Sequence, residues 1–268
     1  MNPPSKRWRD IALPGSSESP VWELFHENSK ISKFDTPIAK EELLTRVRDL
    51  WPSLPYDQYP LVELPREPVR LERTLAEALV ERKSVRELVP RTFTLAEVGT
   101  LLHYGYGSTR SHDELQRPLR TVPSGGALYP LEIFFHASQI EGLAPGLYQY
   151  NSAHHHLRQL REGSESQRLA STLVQPRFAL ESSLQIFITA IFERTTFKYR
   201  DRGYRFALIE AGHVAQNLNL VATAMRVGCI NVGGFFDRAV DALLGIDGIS
   251  HSTVYIMCMG GDGSRSAP

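Results

Sequence analysis

Cysteine is scarce: Cys229 and Cys258 are the only two among 268 residues. Both sit in apolar surroundings without metal-ligand spacing, so the sequence predicts buried free thiols, no metal site and a reducing, cytoplasmic setting. Net charge is lacking too, because 30 Lys and Arg balance 30 Asp and Glu. That balance removes the electrostatic footprint of a nucleic-acid binder. No apolar run reaches the ~18 residues that signal a membrane-spanning helix. The N-terminus, MNPPSKRWRDIALPGSS, is basic and Pro/Ser-rich but has no apolar core, so it does not read as a secretory signal. What is there is ordinary for a globular protein: 42% hydrophobic residues, over a length that suits one large domain or two small ones.

The longest pattern in the chain runs from Tyr204 to Val227, without proline and with Gly212 as its only glycine. Phe206, Leu208, Ile209, Val214, Leu218, Leu220, Val221, Ala224 and Met225 fall on nearly every face, which predicts a long buried helix. Glu210, His213 and Asn217 share one stripe of it. Buried polar groups need partners, so this stripe either ties neighbouring loops or lines a polar ligand or a subunit interface.

Elsewhere, short helices are expected over 21–31 and 41–50, then an extended connector over 52–70 with five prolines. Helices follow over 71–82 and 94–104, the second opened by a Thr94/Glu97 capping box. A polar loop is expected over 105–116 and a surface helix over 164–174. Strands are expected at 131–138, within 142–150, and at 157–160, 183–192 and 252–259, with a short helix at 239–244. His154, His155 and His156 fall at a turn and read as exposed and incidental. Helices and strands mix without strict βαβ alternation, so the predicted class is α+β, with a largely antiparallel sheet covered by helices. The predicted organisation is an N-terminal arm with short helices over 1–70, a main domain over 71–262 and a loose tail over 263–268.

Four stretches have the residue types for chemistry. Arg82, Lys83, Ser84 and Arg86 can hold a phosphate by charge-assisted hydrogen bonds, or simply end a helix with solvated cations. Pro123, Ser124, Gly125 and Gly126 are either a turn where backbone approaches a ligand closely or a tight entry into a strand. Lys198 and Tyr199 are an acid–base pair if they lie in a desolvated pocket, and plain surface otherwise. Gly233 and Gly234 offer a second exposed backbone, with Phe235 and Phe236 beside it.

In this order the four stretches resemble the nitroreductase superfamily, and within it the SagB-type, or McbC-like, azoline dehydrogenases of thiazole/oxazole peptide biosynthesis. Arg82-Lys83-Ser84-Val85-Arg86 resembles an R-x-S-x-R flavin-phosphate motif, and RTVPSGGALYPLE (120–132) an R-x-x-PS-x-GA-x-YP-x-E hallmark. EAGHVAQNLNLVA (210–222), GCINVGGFFD (228–237) and FHENSK (25–30) match further elements of that subfamily. The resemblance implies an α+β nitroreductase-like fold, an intertwined homodimer and FMN at the dimer interface. By the same resemblance, Arg82, Lys83, Ser84 and Arg86 would hold the FMN phosphate, and Arg265 is the one basic residue available near the C-terminus for that group. Pro123, Ser124, Gly125 and Gly126 would line the isoalloxazine ring. Gly233 and Gly234 would donate backbone N–H to it, and Lys198 and Tyr199 would be catalytic. The implied reaction is FMN-dependent oxidation of a peptide thiazoline or oxazoline to the azole, with a cyclodehydratase or carrier protein as possible partner. The alternative is an FMN-dependent reductase using NAD(P)H on a nitro compound, quinone or dehydroamino acid.

Overall fold

A computed structural model describes residues 21–112 and 117–264. In chain order the elements are α1 (Val21–Asn28), α2 (Lys40–Asp49), β1 (Leu61–Glu63), α3 (Leu75–Glu81), β2 (Leu88–Val89), β3 (Phe93–Thr94), α4 (Leu95–Tyr106), β4 (Ser108–His112), β5 (Arg117–Arg120) and β6 (Leu131–Ala137). There follow β7 (Ile140–Glu141), β8 (Gly146–Asn151), β9 (His156–Glu162), α5 (Ser166–Ala170), α6 (Arg177–Leu180), β10 (Leu184–Ile191), α7 (Glu193–Tyr199), α8 (Asp201–Ala224), β11 (Gly228–Val232), α9 (Asp237–Leu244) and β12 (His251–Asp262).

The main sheet runs β1-β9-β8-β6-β10-β12-β11, with β2 added along β12. Every pairing in it is antiparallel, while the short β3–β7 pair is parallel. Successive side chains of a strand point to opposite faces, and β6, β10 and β12 show it. Ile133, Phe135, Ile186, Ile188 and Met257 enter one core with α4 and α8. Phe134, Phe187, Ile256 and Cys258 enter a second core with α5, α6 and α9. The sheet is therefore buried on both faces by helices, the α+β class expected. Cys229 and Cys258 are buried free thiols, and burial raises the Cys258 thiol to about 12.

Several local expectations are corrected. The helix expected over 71–82 begins only at Leu75, because Thr74 is its N-cap and closes a capping box with Glu77. The Thr94/Glu97 box opens α4 as predicted. Part of the expected loop over 105–116 is strand β4, paired with β5; its residues Ser108 to His112 are polar, which hides a strand from a hydrophobicity pattern. Residues 113–116 lie outside the described residues. The expected surface helix over 164–174 is only α5, and it tucks Leu169 and Ala170 into the second core. The connector over 52–70 lies on the body: β1 pairs with β9, and Leu64 is buried. His156 is buried, and His155 bonds Tyr150 Oη at 2.9 Å and the Pro65 carbonyl at 3.2 Å, so only His154 is exposed as expected. No helix among the described residues is long and apolar enough to cross a membrane.

The long helix α8 is not apolar-buried all round in one chain. Its inner face is buried from Ala207 through Ala224, but Leu208 and Ile209 are 42% and 54% exposed, in a row with Tyr204 at 39%. The expected polar stripe also splits: Glu210 is buried, while His213 is exposed.

Candidate functional site

The residues that lead into α8 are themselves a helix. Residues Glu193–Tyr199 form α7, which stops at Arg200, a residue held at φ 50 and ψ −140. The chain turns there into α8, and the Arg200 N–H bonds the Thr196 carbonyl at 2.7 Å. Gly203 makes the sharp fold possible. A Cβ on it would stand 2.7 Å from the Thr195 carbonyl carbon and the Thr196 nitrogen. Lys198 and Tyr199 thus occupy the last turn of a short helix pinned against α8. Lys198 Nζ lies 4.9 Å from the Tyr199 ring centroid, and Tyr199 packs edge-on to Phe206 at 4.9 Å.

The Pro123–Gly126 turn meets this pair. A Cβ on Gly126 would lie 2.7 Å from both Lys198 Nζ and Tyr199 Oη, and Gly126 sits at φ +66. Only glycine accepts that conformation and that closeness together. Gly125 faces Phe206, whose ring edge is 3.0 Å from a would-be Cβ. Ala127 and Tyr129 also carry positive φ, at 54° and 46°. Such strained backbone is costly and persists only where the surroundings hold it. Ser124 Oγ helps hold the turn by accepting the Tyr129 N–H at 2.9 Å, while Pro123 is exposed.

Beneath this turn lies a buried polar layer of which sequence reasoning singles out only Glu210. Tyr106 donates its hydroxyl to Glu210 Oε1 at 2.7 Å. Burial raises the Glu210 carboxyl to about 7, against the opposing pull of nearby Ser124, of the Tyr106 bond and of Arg120 and Arg194. Burial likewise holds the Tyr106 phenol well above its usual range. Arg120 is buried over the Tyr106 ring, 4.0 Å from its centroid, and donates to the Pro52 carbonyl. Glu132 is the hub. It pairs with Arg194 at 2.8 Å, and it accepts from Ser53 Oγ at 3.1 Å, the Leu54 N–H at 3.0 Å and Gln149 at 3.1 Å. Arg120 and Glu132 stand inside a motif quoted above, their only signal, whereas Glu210 is also marked by the polar stripe of the long helix.

The other predicted residues gather elsewhere. Arg86, Gly233 and Gly234 line a cavity of about 240 Å³ with Asn231, Gln175 and Phe178. A Cβ on Gly233 would meet nothing within 4 Å, so its backbone faces open space. Asn231 Oδ1 is buried there with no hydrogen-bond partner. An orphaned polar atom and an open glycine backbone fit a planar heteroaromatic ligand with polar edges, and Arg86 adds a cation. Arg82 and Ser84 stand on the same extended segment as Arg86. Lys83 instead pairs with Asp262 at 3.0 Å and donates to Ser264 at 2.9 Å. It is engaged at the end of β12, not at the Arg86 cavity. Arg265 lies outside the described residues. The cavity beside Lys198 and Tyr199 and the cavity at Gly233 and Gly234 share no lining residue.

Residues 79–261 match the nitroreductase family model, well over half of the chain. The chain belongs to the nitroreductase family. Among relatives, it is 37% identical over 175 residues to the nitroreductase-family protein MJ1384 of Methanocaldococcus jannaschii, covering 65% of this chain and 86% of that protein. It is 34% identical over 143 residues to the microcin B17-processing protein McbC of Escherichia coli, covering 48% of this chain and 49% of McbC. The match thus spans about half the length of that peptide-processing relative. Among solved structures, the E. coli microcin synthetase McbBCD complex with truncated pro-MccB17 bound superposes with a TM-score of 0.59 at 21% identity, over 90% of this chain and 91% of the matched one. That likeness concerns the fold alone. Members of the family are typically flavin-binding oxidoreductases.

Proposed function

We propose that this nitroreductase-family chain is an FMN-dependent oxidase of azoline rings in peptides, acting in the maturation of a peptide natural product. The observation that carries the reading is the convergence of Lys198 Nζ and Tyr199 Oη on Gly126. A lysine nitrogen and a tyrosine oxygen meet there at a glycine turn, flanked by strained backbone. Likeness to a microcin-processing protein supports a peptide substrate.

Converting a thiazoline or oxazoline to its azole removes two hydrogens, one as a proton from the ring carbon and one as a hydride. A bound flavin supplies the hydride-accepting chemistry. Arg82, Ser84 and Arg86 would hold its phosphate, while Gly233 and Gly234 would present backbone N–H groups to its ring. Pro123, Ser124, Gly125 and Gly126 would line that ring. Tyr199 and Lys198 would receive the ring proton, since acid–base groups act at hydrogen-bond reach of the proton they move. Tyr199 is steadied for this by Phe206, and Gly126 keeps the space in front of it clear.

The two groups of residues line separate cavities in one chain, and α8 leaves Tyr204, Leu208 and Ile209 exposed. A second copy covering that row would complete the site, so the protein is proposed to act as a homodimer. A cyclodehydratase is the proposed source of the azoline peptide. The competing reading, NAD(P)H-dependent reduction of a nitro compound, quinone or dehydroamino acid, draws on the MJ1384 likeness. Assay of the flavin-loaded protein with a thiazoline peptide under air separates the two. Azole formation is expected, lost in Lys198→Ala and Tyr199→Phe while flavin absorbance stays; wild-type turnover in either variant would remove that residue from the proton step.

A further inference from the structure

A cavity of about 450 Å³ adjoins the Lys198–Tyr199 pair. That volume is within the usual range for small-molecule pockets. Lys198, Tyr199 and Arg200 form one wall, and Ile31, Pro37, Ile38 and Leu43 contribute the other. The second wall comes from the segment joining α1 to α2 and from Leu43 of α2, all of which precede the family match at residue 79. It is therefore supplied by this chain's N-terminal segment and not by the part common to the family.

The segment is fastened at both ends to the helices that carry the pair. On the α1 side, Arg202 Nε donates to the Ser29 carbonyl at 3.1 Å and Arg205 to the His26 carbonyl at 2.5 Å. Phe25 packs edge-on to Tyr204 at 5.4 Å. On the α2 side, Arg46 lies over the Phe197 ring at 5.8 Å, and Arg117 donates to the Val47 carbonyl at 2.8 Å. Between these anchors the chain passes the cavity as a strap, turned by the Ser32 N–H bond to Asp35 at 2.8 Å.

We propose that this cavity is a specificity pocket for the bulky apolar side chain of the residue that flanks the reacting ring in a peptide substrate. The inference rests on the azoline-peptide reading above and names a substrate feature that reading leaves open. Two observations carry it. The lining is aliphatic at Ile31, Pro37, Ile38 and Leu43, with Asp35, Lys40, Lys198 and Arg200 as its charged members. Lys198 and Tyr199 border both the cavity and the Gly126 turn. Neighbouring residues of a peptide are ~3.8 Å apart at Cα, so a ring at the turn puts its neighbour's side chain at the cavity.

The test uses fluorescein-labelled thiazole peptides that differ only in Leu or Gly next to the ring, with binding to the flavin-loaded protein read by fluorescence anisotropy. The Leu peptide is expected to bind about tenfold more tightly, the scale for burying such a side chain. Ile38→Trp, which fills the cavity, is expected to bring the Leu peptide to the level of the Gly peptide and leave the latter unchanged. Leu43→Asp, checked for folding by thermal melting, is expected to do the same. Equal affinity of the wild-type protein for the two peptides overturns the pocket, and this comparison needs no variant to fold. A Leu preference that survives both substitutions in folded protein also overturns it. A Leu preference removed by Ile38→Trp, together with no conversion of the matching thiazoline peptides, supports the pocket and sinks the azoline reading instead.

Discussion

The two glycine turns of this molecule have similar sequences and opposite surroundings. At Gly125–Gly126 the would-be side-chain positions are taken: Phe206, Lys198 and Tyr199 stand there. Beneath them a layer of buried charge ties the turn to the sheet through Glu210, Arg120 and Glu132. At Gly233–Gly234 the first glycine faces open space, and the nearby Asn231 Oδ1 has no partner. The crowded turn packs against side chains, and the open turn leaves backbone uncovered and a polar atom unpartnered. A glycine pair in sequence does not distinguish the two; what surrounds it does.

Removing the support of the crowded turn is expected to have the largest effect. Glu132→Ala would leave Arg194 buried and unpaired and free the Ser53–Leu54 connector, at a cost of about 3–5 kcal/mol. A urea unfolding midpoint checks this, and a cost below about 1 kcal/mol would show that the hub is dispensable.

Glu210 comes next, and its effect depends on pH. Burial lifts its carboxyl from the ordinary 4.5 to about 7. The folded chain then holds that proton more tightly than the unfolded chain, so stability falls as pH rises through this window. The full penalty above it is roughly 3 kcal/mol. Glu210→Gln keeps an acceptor for Tyr106 but has no charge to bury. Its stability is expected to gain on the wild type between about pH 4.5 and about pH 8. Parallel stability curves for the two proteins across that range would contradict the raised carboxyl.

A smaller contrast compares the turns directly. Gly126→Ala puts a Cβ against two side chains at positive φ and is expected to cost about 1–3 kcal/mol. Gly233→Ala should stay within about 0.5 kcal/mol of wild type. Equal melting temperatures for both variants would erase the distinction. Smallest in stability is Arg86→Ala at the open turn, expected within about 0.5 kcal/mol but with weakened flavin retention. An unchanged flavin Kd would take Arg86 out of the phosphate role.

Local signals carried much of the fold. The Thr94/Glu97 box, the β-branched run of β10 and the uninterrupted pattern of α8 are each written in adjacent residues, and each formed its element. Thr74/Glu77 is the same kind of signal and was passed over. The polar strand β4 was illegible because its partner, not its own residues, makes it a strand. In the site, residue types were legible and their grouping was not. Tyr106 and Glu210 are 104 positions apart, and Ser53 and Glu132 are 79 apart. Such contacts leave no local period. Lys83 shows the converse: its place in a motif suggested a ligand cation, but Asp262 in the neighbouring strand engages it. The exposed row on α8 reads as buried in sequence because an apolar residue looks the same there whether or not its own chain covers it.

The central claim is that Lys198 and Tyr199, meeting at Gly126, serve the removal of two hydrogens from an azoline. Mass spectrometry of a thiazoline peptide incubated in air with the flavin-loaded protein tests it most directly. The account predicts loss of two hydrogen atoms by the wild type and no change in mass with Tyr199→Phe carrying the same flavin content. An unchanged peptide with flavin-loaded wild type, or the same loss with Tyr199→Phe, would contradict it.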